Sequence, residues 1–568
     1  MSKSKYTLLE RLVIPFKPDY VAKRAMADYA ANLIEIESRM KRAQYKAADK
    51  NRLNANWNTD GRSINSYLQT ELATMRNRSR WLLRNTPNAI SGMNAFISYC
   101  IGIGITPIST VYDKIVKEED GKTVIDHEEN ILFNDDLDDR WDEWAKNADI
   151  TGTPTSPISF YDVQEMVLRK WVEDGEAFVH TVIEPDNPGV PFVCEFFEPE
   201  SLDEGMRENP ENKNPIIMGI ELDKRTNKEV GYWIKSTLQT SAANSSNPLG
   251  TSKNKSTRYD AKNIFHIFKR LRPGQVRGIP WFHGVSEKFF QLDEYEDAEL
   301  IGNKIAACMG IFIERASGVG ADGDFLPQSG KSSSAAQDSD GNSLTHMQPG
   351  LIGSYPKGSN LHIVAPQKPG ATFGMFAEHN DRKTGAGMEY GLSYEALTRN
   401  TSQASYAGGR LAVQRDYQVF RQIIKFMDRR FNVPFRQQWL DVAVLAGAIE
   451  ADGYYTTARR TSAHNRIYWS RCEWIPPAWQ YGVNPKDDIS ASRDAIRAGI
   501  SDLSVESAFN GRDWKTTLRM QKRIKDAADR MGLTLTSDGA HSIVNGIDNS
   551  DDNSDETVAA AADDNKEK

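Results

Sequence analysis

The feature that most constrains this chain is a long amphipathic stretch over residues 402–431. Val413, Phe420, Ile424, Met427 and Phe431 fall on one side of a helix there, and Arg410, Tyr417, Arg421 and Lys425 fall on another. A helix with one apolar stripe must lay that stripe on a core, so the pattern predicts a packed, helix-rich domain. A second long stretch, residues 281–309, predicts a helix able to cross most of a domain. Helices are also predicted over 19–50, 63–84, 87–102, 159–171 and 512–531, with Thr86 and Pro87 giving an N-cap and a first-turn proline. Between the helices, residues 177–183, 192–197, 263–268 and part of 352–366 read as strands. Hairpins are predicted at 112–117 with 122–125 and at 216–222 with 230–236. The expected fold class is α+β and helix-rich.

Composition enters through charge. The 568 residues are 39% hydrophobic and 26% charged, with a formal net charge of −8. Residues 548–568 carry eight acidic residues and two lysines, a net of −6, so the remainder holds only −2. The first 86 residues carry seventeen Lys/Arg against eight Asp/Glu, a net of +9. A basic end and an acidic end fit head-to-tail assembly or a nucleic-acid surface, but two solvated faces are the better reading of the charges alone. Cys100, Cys194, Cys308 and Cys472 form no CxxC pair and read as buried free thiols in a reducing compartment. The first residues make a poor signal peptide, no apolar run has membrane-spanning length, and the expected setting is a cytoplasm. Residues 236–257, 316–343 and those beyond about 536 are polar and low in complexity, and are expected to be loops or disordered.

The search for chemistry returns little. Gly318-Val-Gly320-Ala-Asp-Gly323 matches GxGxxG but opens no convincing helix. Gly330-Lys331-Ser332 ends like a phosphate loop, yet Phe325 stands where the first glycine is needed. A DNA-translocating motor needs that phosphate cradle. HExxH, GxSxG and the deaminase pattern are absent. Acidic clusters at Asp135–Glu143 and Asp293–Glu299 could hold Mg²⁺, but no lysine or histidine of catalytic spacing joins them, and solvated helices are the better reading. His266 and His362 sit in apolar strands and read as structural. Lys269, Arg270, Arg272 and Arg277 form one basic cluster; Arg410, Arg415, Arg421, Lys425, Arg429 and Arg430 form another along the long helix. Either could touch phosphates, without a sign of base-specific readout. For the long helix, ion pairing within or between subunits is as good a reading.

Five stretches in order carry a family resemblance. They are Arg78-Ser-Arg80-Trp-Leu-Leu-Arg-Asn-Thr-Pro87 with Ile101-Gly-Ile-Gly-Ile-Thr-Pro107; Arg140-Trp-Asp-Glu-Trp144 with Glu173-Asp-Gly-Glu-Ala-Phe178; Arg272-Pro-Gly-Gln-Val-Arg-Gly-Ile-Pro-Trp281 with Leu292-Asp-Glu-Tyr-Glu-Asp-Ala-Glu299 and Lys304-Ile-Ala-Ala-Cys308; Gly391-Leu-Ser-Tyr-Glu-Ala-Leu397 with Ser405-Tyr-Ala-Gly-Gly-Arg410; and residues 439–447 with Trp474-Ile-Pro-Pro477. Together they resemble the lambda-type portal proteins of tailed bacteriophages, over about residues 75–535. Ala407-Gly408-Gly409 departs from the serines usual in that family, and residues 316–343 look like extra length.

The resemblance implies a non-enzymatic subunit, without cofactor or metal, of a ring of twelve copies at one capsid vertex. Double-stranded DNA would enter it, driven by a separate terminase, and leave into the tail. Implied partners are the terminase large subunit, the major capsid and scaffold proteins and head-tail connector proteins, with no membrane. Implied regions are a helical N-terminal part of the wing (1–110), a mixed α/β wing (111–235), a clip-like region (236–280), a stem helix (281–310), wing strands with an insertion and a tunnel-loop region (311–401), a long helix with the region after it (402–486), crown-like helices (487–535) and an acidic tail (536–568). Lys368, Arg382 and Lys383 are candidate basic contacts at a constriction. Asp293, Glu296 and Asp297 are candidate acidic contacts that lower friction against phosphates. Lys269, Arg270, Arg272 and Arg277 are candidate clip or partner contacts. The competing classes are a packaging ATPase or nuclease, and a scaffold or tail-completion protein without a channel.

Overall fold

The computed structural model describes a few residues between 19 and 63 and most of residues 64–531. Residues 112–115, 236–255, 308–311, 316–352, 357–371, 456–458, 478–484, 532–568 and a few single positions lie outside the described set. The chain divides into two units, Met1–Ser63 and Ile64–Lys568. In the first, the described residues between 19 and 34 are helical, in line with the predicted helix as far as they go.

The second unit runs, in order: α1 (Ile64–Asn85), α2 (Pro87–Cys100), β1 (Thr106–Ser109), β2 (Val116–Glu119), β3 (Lys122–Ile125), α3 (His127–Ala145), α4 (Phe160–Asp174), β4 (Glu176–Ile183), β5 (Phe192–Phe197), β6 (Ile216–Ile217), β7 (Ile220–Leu222), β8 (Glu229–Lys235), β9 (Ser256–Asp260), β10 (Ile264–Phe268), α5 (Ser286–Ala307), β11 (Phe312–Arg315), β12 (Gly353–Pro356), α6 (Thr372–Gly387), α7 (Tyr394–Thr398), α8 (Tyr406–Met427), α9 (Val433–Leu445), α10 (Arg459–Trp469), β13 (Cys472–Ile475), α11 (Pro485–Arg497), α12 (Leu503–Phe509) and α13 (Trp514–Met531). Helices therefore dominate, with small sheets between them. The larger sheets are antiparallel, in the orders β10-β4-β5 and β6-β7-β8-β9, and β1 pairs with β13.

Local chemistry explains the elements. Ser159 and Asp162 form a capping box at the start of α4, and Gly175 ends it in the left-handed conformation at φ 84°. In α1, Leu68, Leu72, Arg76, Ser79 and Leu82 recur every three or four residues and are the buried ones. Their helix packs on α4, α2 and the sheets. The main core is aromatic. Trp141 and Trp144 of α3, Phe160 of α4, Phe431, Phe435 and Trp439 of the α8–α9 junction, and Trp474 of β13 are buried and meet at about 5–6 Å, edge-on or tilted except for the stacked Phe160–Phe431 pair.

Three expectations need correcting. The helix expected from Trp281 begins at Ser286, because Trp281 uses its backbone elsewhere: its N–H donates to Val172 O at 3.1 Å and its carbonyl accepts from Glu389 N at 3.0 Å. The long helix starts after Ser405, whose hydroxyl caps it by accepting from Gly408 N, and its regular part ends at Met427 in a π-helical turn over Asp428–Asn432. The strand expected over 216–222 is broken into β6 and β7 by Met218 and Gly219, both at positive φ. Residues Thr372–Gly387, for which no secondary structure was expected, form the helix α6. Phe373 and Phe376 of that helix pack on Tyr295 of α5, and Gly385 lets its backbone approach Leu392 and Leu397.

Candidate interaction surfaces

The motif-bearing stretches converge in three dimensions. Glu176, at the start of β4, is wholly buried and is the centre of a polar hub. Its carboxylate accepts from Arg277 Nε at 2.9 and 3.0 Å, from Gly278 N at 2.9 Å and from Arg76 Nη2 at 3.4 Å, and His266 Nε2 lies 3.1 Å away. Arg277, equally buried, also donates to Met218 O at 2.9 Å, Pro199 O at 3.1 Å and Glu204 at 3.3 Å. Burial alone would raise the Glu176 pKa. The Arg277 charge, then His266 and the hydrogen bonds, outweigh it and hold the carboxyl well below the usual range. The loop carrying Arg277 crosses the α4–β4 turn at backbone distance: a Cβ on Gly278 would sit 2.0 Å from Gly175 O, and one on Gly175 would sit 2.1 Å from the Ile279 carbonyl carbon.

Beside the hub, Arg80 forks onto the buried Asp174 carboxylate at 2.6 and 2.9 Å and reaches Glu198 and Glu200. Ser79 donates to Glu173 O at 2.6 Å. Thus the stretches containing Arg80, Glu176 and Arg277, some 100 residues apart in sequence, form one interlocked node. Similarly Ser393, of the Gly391–Leu397 stretch, donates to Asp416 of α8 at 2.5 Å. The Trp141–Trp144 and Trp474 stretches meet in the aromatic core. Sequence reasoning missed the pairing of Glu176 with Arg277, although the Glu-Ala-Phe and Val-Arg-Gly contexts both set a lone charge among apolar or glycine neighbours.

The basic cluster of 269–277 is divided by this arrangement. Arg277 is turned wholly inward, which corrects its reading as a partner contact: its charge is spent on Glu176. Lys269 is half-buried against Glu389 at 2.6 Å and over the Tyr390 ring. Arg270 pairs with Glu229 at 2.5 Å, and Arg272 is exposed. Residues 256–280 contribute β9, β10 and the hub, their strands forming edges of the two antiparallel sheets. Residues 236–255 lie outside the described set.

The acidic candidates stand on α5. Asp293 is half-buried and accepts from the Thr86 hydroxyl at 2.7 Å, so that hydroxyl ties two elements together and does not cap α2. Glu296 and Asp297 are exposed. Among the described residues, no cation lies within ion-pairing distance of Glu287, Asp293, Glu294, Glu296, Asp297 or Glu299. Facing them on α6 is Asp381, bonded to Asn88 at 2.9 Å. Burial, then the Glu296 and Asp293 charges, push Asp381 up to about 6 against the pull of Asn88. Burial and the charges of Asp293 and Asp297 likewise raise Glu296. Arg382 and Lys383 are exposed on α6, with Arg382 reaching Glu378 at 2.6 Å. Lys368 and His362 lie outside the described residues. His266 is a buried member of the hub, as a structural histidine should be.

Among the described residues, no group of three or more His, Cys, Asp or Glu side chains is placed to hold a metal ion, and no helix is long and apolar enough to cross a membrane. Cys100 and Cys194 are buried free thiols and Cys472 is partly exposed.

Comparison with known proteins gives these surfaces a context. Residues 50–423 match the family model described as phage portal protein, lambda family. The chain is 24% identical over 380 residues to the probable portal protein of Halomonas phage phiHAP-1, covering 66% of this chain and 67% of that one. It is 23% identical over 278 residues to portal protein B of Escherichia phage lambda, covering 46% of this chain and 50% of that one. It is 23% identical over 316 residues to the portal protein of Escherichia phage N15, covering 53% and 57%. The chain thus spans about half the length of the lambda and N15 proteins. Among solved structures, a chain in the neck of an empty gene transfer agent particle aligns at a TM-score of 0.32 and 10% identity, covering 80% of this chain and 96% of that one. Its counterpart in the native particle aligns at 0.32 and 11%, covering 81% and 98%. The sequence match, which includes the hub and both helices of the acidic cluster, carries the assignment: this chain belongs to the lambda family of phage portal proteins.

Proposed function

We propose that this chain is one subunit of a closed ring, near twelve-fold, at a single capsid vertex, and that double-stranded DNA passes through the ring during packaging and ejection. The observation that carries the reading is the family match over residues 50–423. Its role is that of a conduit and docking platform, with the motor activity supplied by a separate terminase ATPase. The terminase large subunit, major capsid and scaffold proteins and head-tail connectors are the partners this reading requires.

The charges on α5 support it physically. A conduit must hold DNA loosely, because each cation set against a phosphate must be pulled away again as the duplex slides. Glu296 and Asp297 are exposed carboxylates without a described counter-cation, and a wall of such groups repeated around a ring would repel the backbone and keep it mobile. Lys368, Arg382 and Lys383 are the basic residues this reading sets at a narrowing of the path.

Negative-stain electron microscopy of the purified full-length chain tests the proposal by counting rotational symmetry. A ring with a central hole wide enough for B-form DNA is the expected result. A small closed oligomer, such as a dimer, that hydrolyses ATP or cuts DNA would overturn it in favour of a packaging enzyme.

A further inference from the structure

Helix α13 carries a basic face that the described residues leave open. Trp514–Met531 contains six Lys/Arg and two Asp, a net of +4. At ~100° per residue, Lys525, Leu518, Lys522, Lys515 and Arg530 follow one another across roughly 140° of its surface. Lys522, Lys525 and Arg530 are exposed, and Leu518 among them is 41% exposed. Asp529 is exposed on the same side. The helix is anchored elsewhere: Ala528 is buried, and Lys515 Nζ donates to Ser109 O at 3.2 Å. Lys522 and Arg530 have no hydrogen bond or ion pair among the described residues.

A segment of opposite character follows on the same chain. Residues 548–568 carry eight acidic residues against two lysines, a net of −6. Their acids flank an apolar run: Asp555 and Glu556 precede Val558-Ala-Ala-Ala-Ala562, and Asp563 and Asp564 follow it. Cations beside an exposed leucine on α13 are thus matched by carboxylates beside an apolar run. Between the two lie residues 532–547, sixteen positions. Sixteen residues span at most ~55 Å, about twice the ~27 Å length of α13, so the acidic segment can reach every turn of its own helix. Single exposed ion pairs contribute little. Several at once, on a partner already tethered, have the advantage of an intramolecular contact.

We propose that residues 548–568 dock on the basic face of α13 in their own chain. Lys522, Lys525 and Arg530 receive the carboxylates between Asp552 and Asp564, and the apolar run covers Leu518. The contact is an electrostatic cover. A bare basic helix collects nucleic acid through release of counterions, whereas a phosphate arriving at α13 must first displace a tethered polyanion. The acidic segment therefore keeps this helix from binding nucleic acid indiscriminately. The inference concerns a single chain and stands apart from the ring reading.

The test is zero-length carbodiimide coupling of the unmodified full-length chain, read by peptide mass spectrometry, since that reagent joins a carboxylate only to a lysine in contact with it. Links from residues 548–568 are expected to concentrate on Lys522 and Lys525, and to fall by about fivefold or more between 50 mM and 0.5 M salt. Links spread over exposed lysines of the β6–β8 region, such as Lys213, Lys224 and Lys228, overturn the docking, and so does the absence of links. Mixing chains of natural and heavy isotope composition checks the tether: a majority of mixed links hands the helix to another copy and overturns the own-chain contact. A second arm reads the cover. Asp552→Asn, Asp555→Asn, Glu556→Gln, Asp563→Asn and Asp564→Asn together should raise affinity for a 30-base-pair duplex by about tenfold at 50 mM salt. Adding Lys522→Glu and Arg530→Glu should cancel that gain. No gain, or a gain that survives the two reversals, sinks the cover. An unmodified chain whose duplex shields Lys522 as fully as in the neutralised chain makes DNA the occupant instead.

Discussion

The hub around Glu176 and the α5–α6 pair treat charge in opposite ways. In the hub, every carboxylate sits against a guanidinium or a backbone donor, and Glu176 and Arg277 are both wholly buried. On α5, six carboxylates carry no described counter-cation, and two of them crowd Asp381 across the helix pair. Buried charge persists only when compensated, so the hub is a device for holding the fold. Uncompensated exposed charge contributes little to a single chain, and its arrangement answers to whatever lies outside that chain. The contrast separates charges spent inside the subunit from charges left on its surface.

The largest expected effect comes from breaking the balanced side. Glu176→Gln leaves Arg277 buried without its counter-charge and should destabilise the chain by about 3–5 kcal/mol in denaturant unfolding. A cost under about 1 kcal/mol would show that the hub is not structural. The Glu176 carboxyl is held below its ordinary pKa, so its stabilisation is complete above the unfolded carboxylate pKa and fades as pH falls through the folded value. Glu176→Gln should therefore also flatten the acid limb of the stability profile. Arg80→Ala strips the forked partner from buried Asp174 but leaves Lys170 at 3.6 Å, and should cost about 2 kcal/mol by the same measurement.

On the unbalanced side the signs reverse. Asp381 is raised to about 6, so its ionisation costs stability as pH rises from the ordinary carboxylate pKa to that value, and no cost remains where both states are protonated. Asp381→Asn should raise the melting temperature by about 1–3 °C above pH 6 and leave it unchanged near the acid end. A gain of equal size at all pH values would assign the effect to packing. The smallest effect belongs to Glu296→Gln with Asp297→Asn: subunit stability should stay within about 0.5 kcal/mol, while DNA retained by assembled particles in a nuclease-protection assay should change. A large loss of subunit stability would put these residues in the fold.

Much of the secondary structure was legible because its causes are local. The helices at α1, α2, α4 and α13, and the strands β4, β5, β8 and β10, follow from apolar spacing, capping residues and turn residues within a few positions. The helix ends were less so: Trp281 looks helical until its backbone is seen bonding Val172 and Glu389. α6 was obscured by its glycines, and it stands because Phe373 and Phe376 find Tyr295. Of the candidate contacts, the acidic ones were readable as a run on a helix. Arg277 was misread because its neighbours Gly274, Gln275 and Gly278 resemble a surface loop, whereas the buried acceptor that claims it lies a hundred residues upstream.

By itself, then, the sequence determined a helix-rich α+β chain, no recognisable catalytic motif, and five ordered stretches of a portal family. All of these depend on residue type and short-range order. Only the tertiary structure decided which charges are internal and which are offered outward, because Coulomb and desolvation energies depend on distances between residues far apart in the chain. Glu176 with Arg277 and Glu294 without a described counter-cation are both plain charges in the sequence, and only their burial in the fold tells them apart.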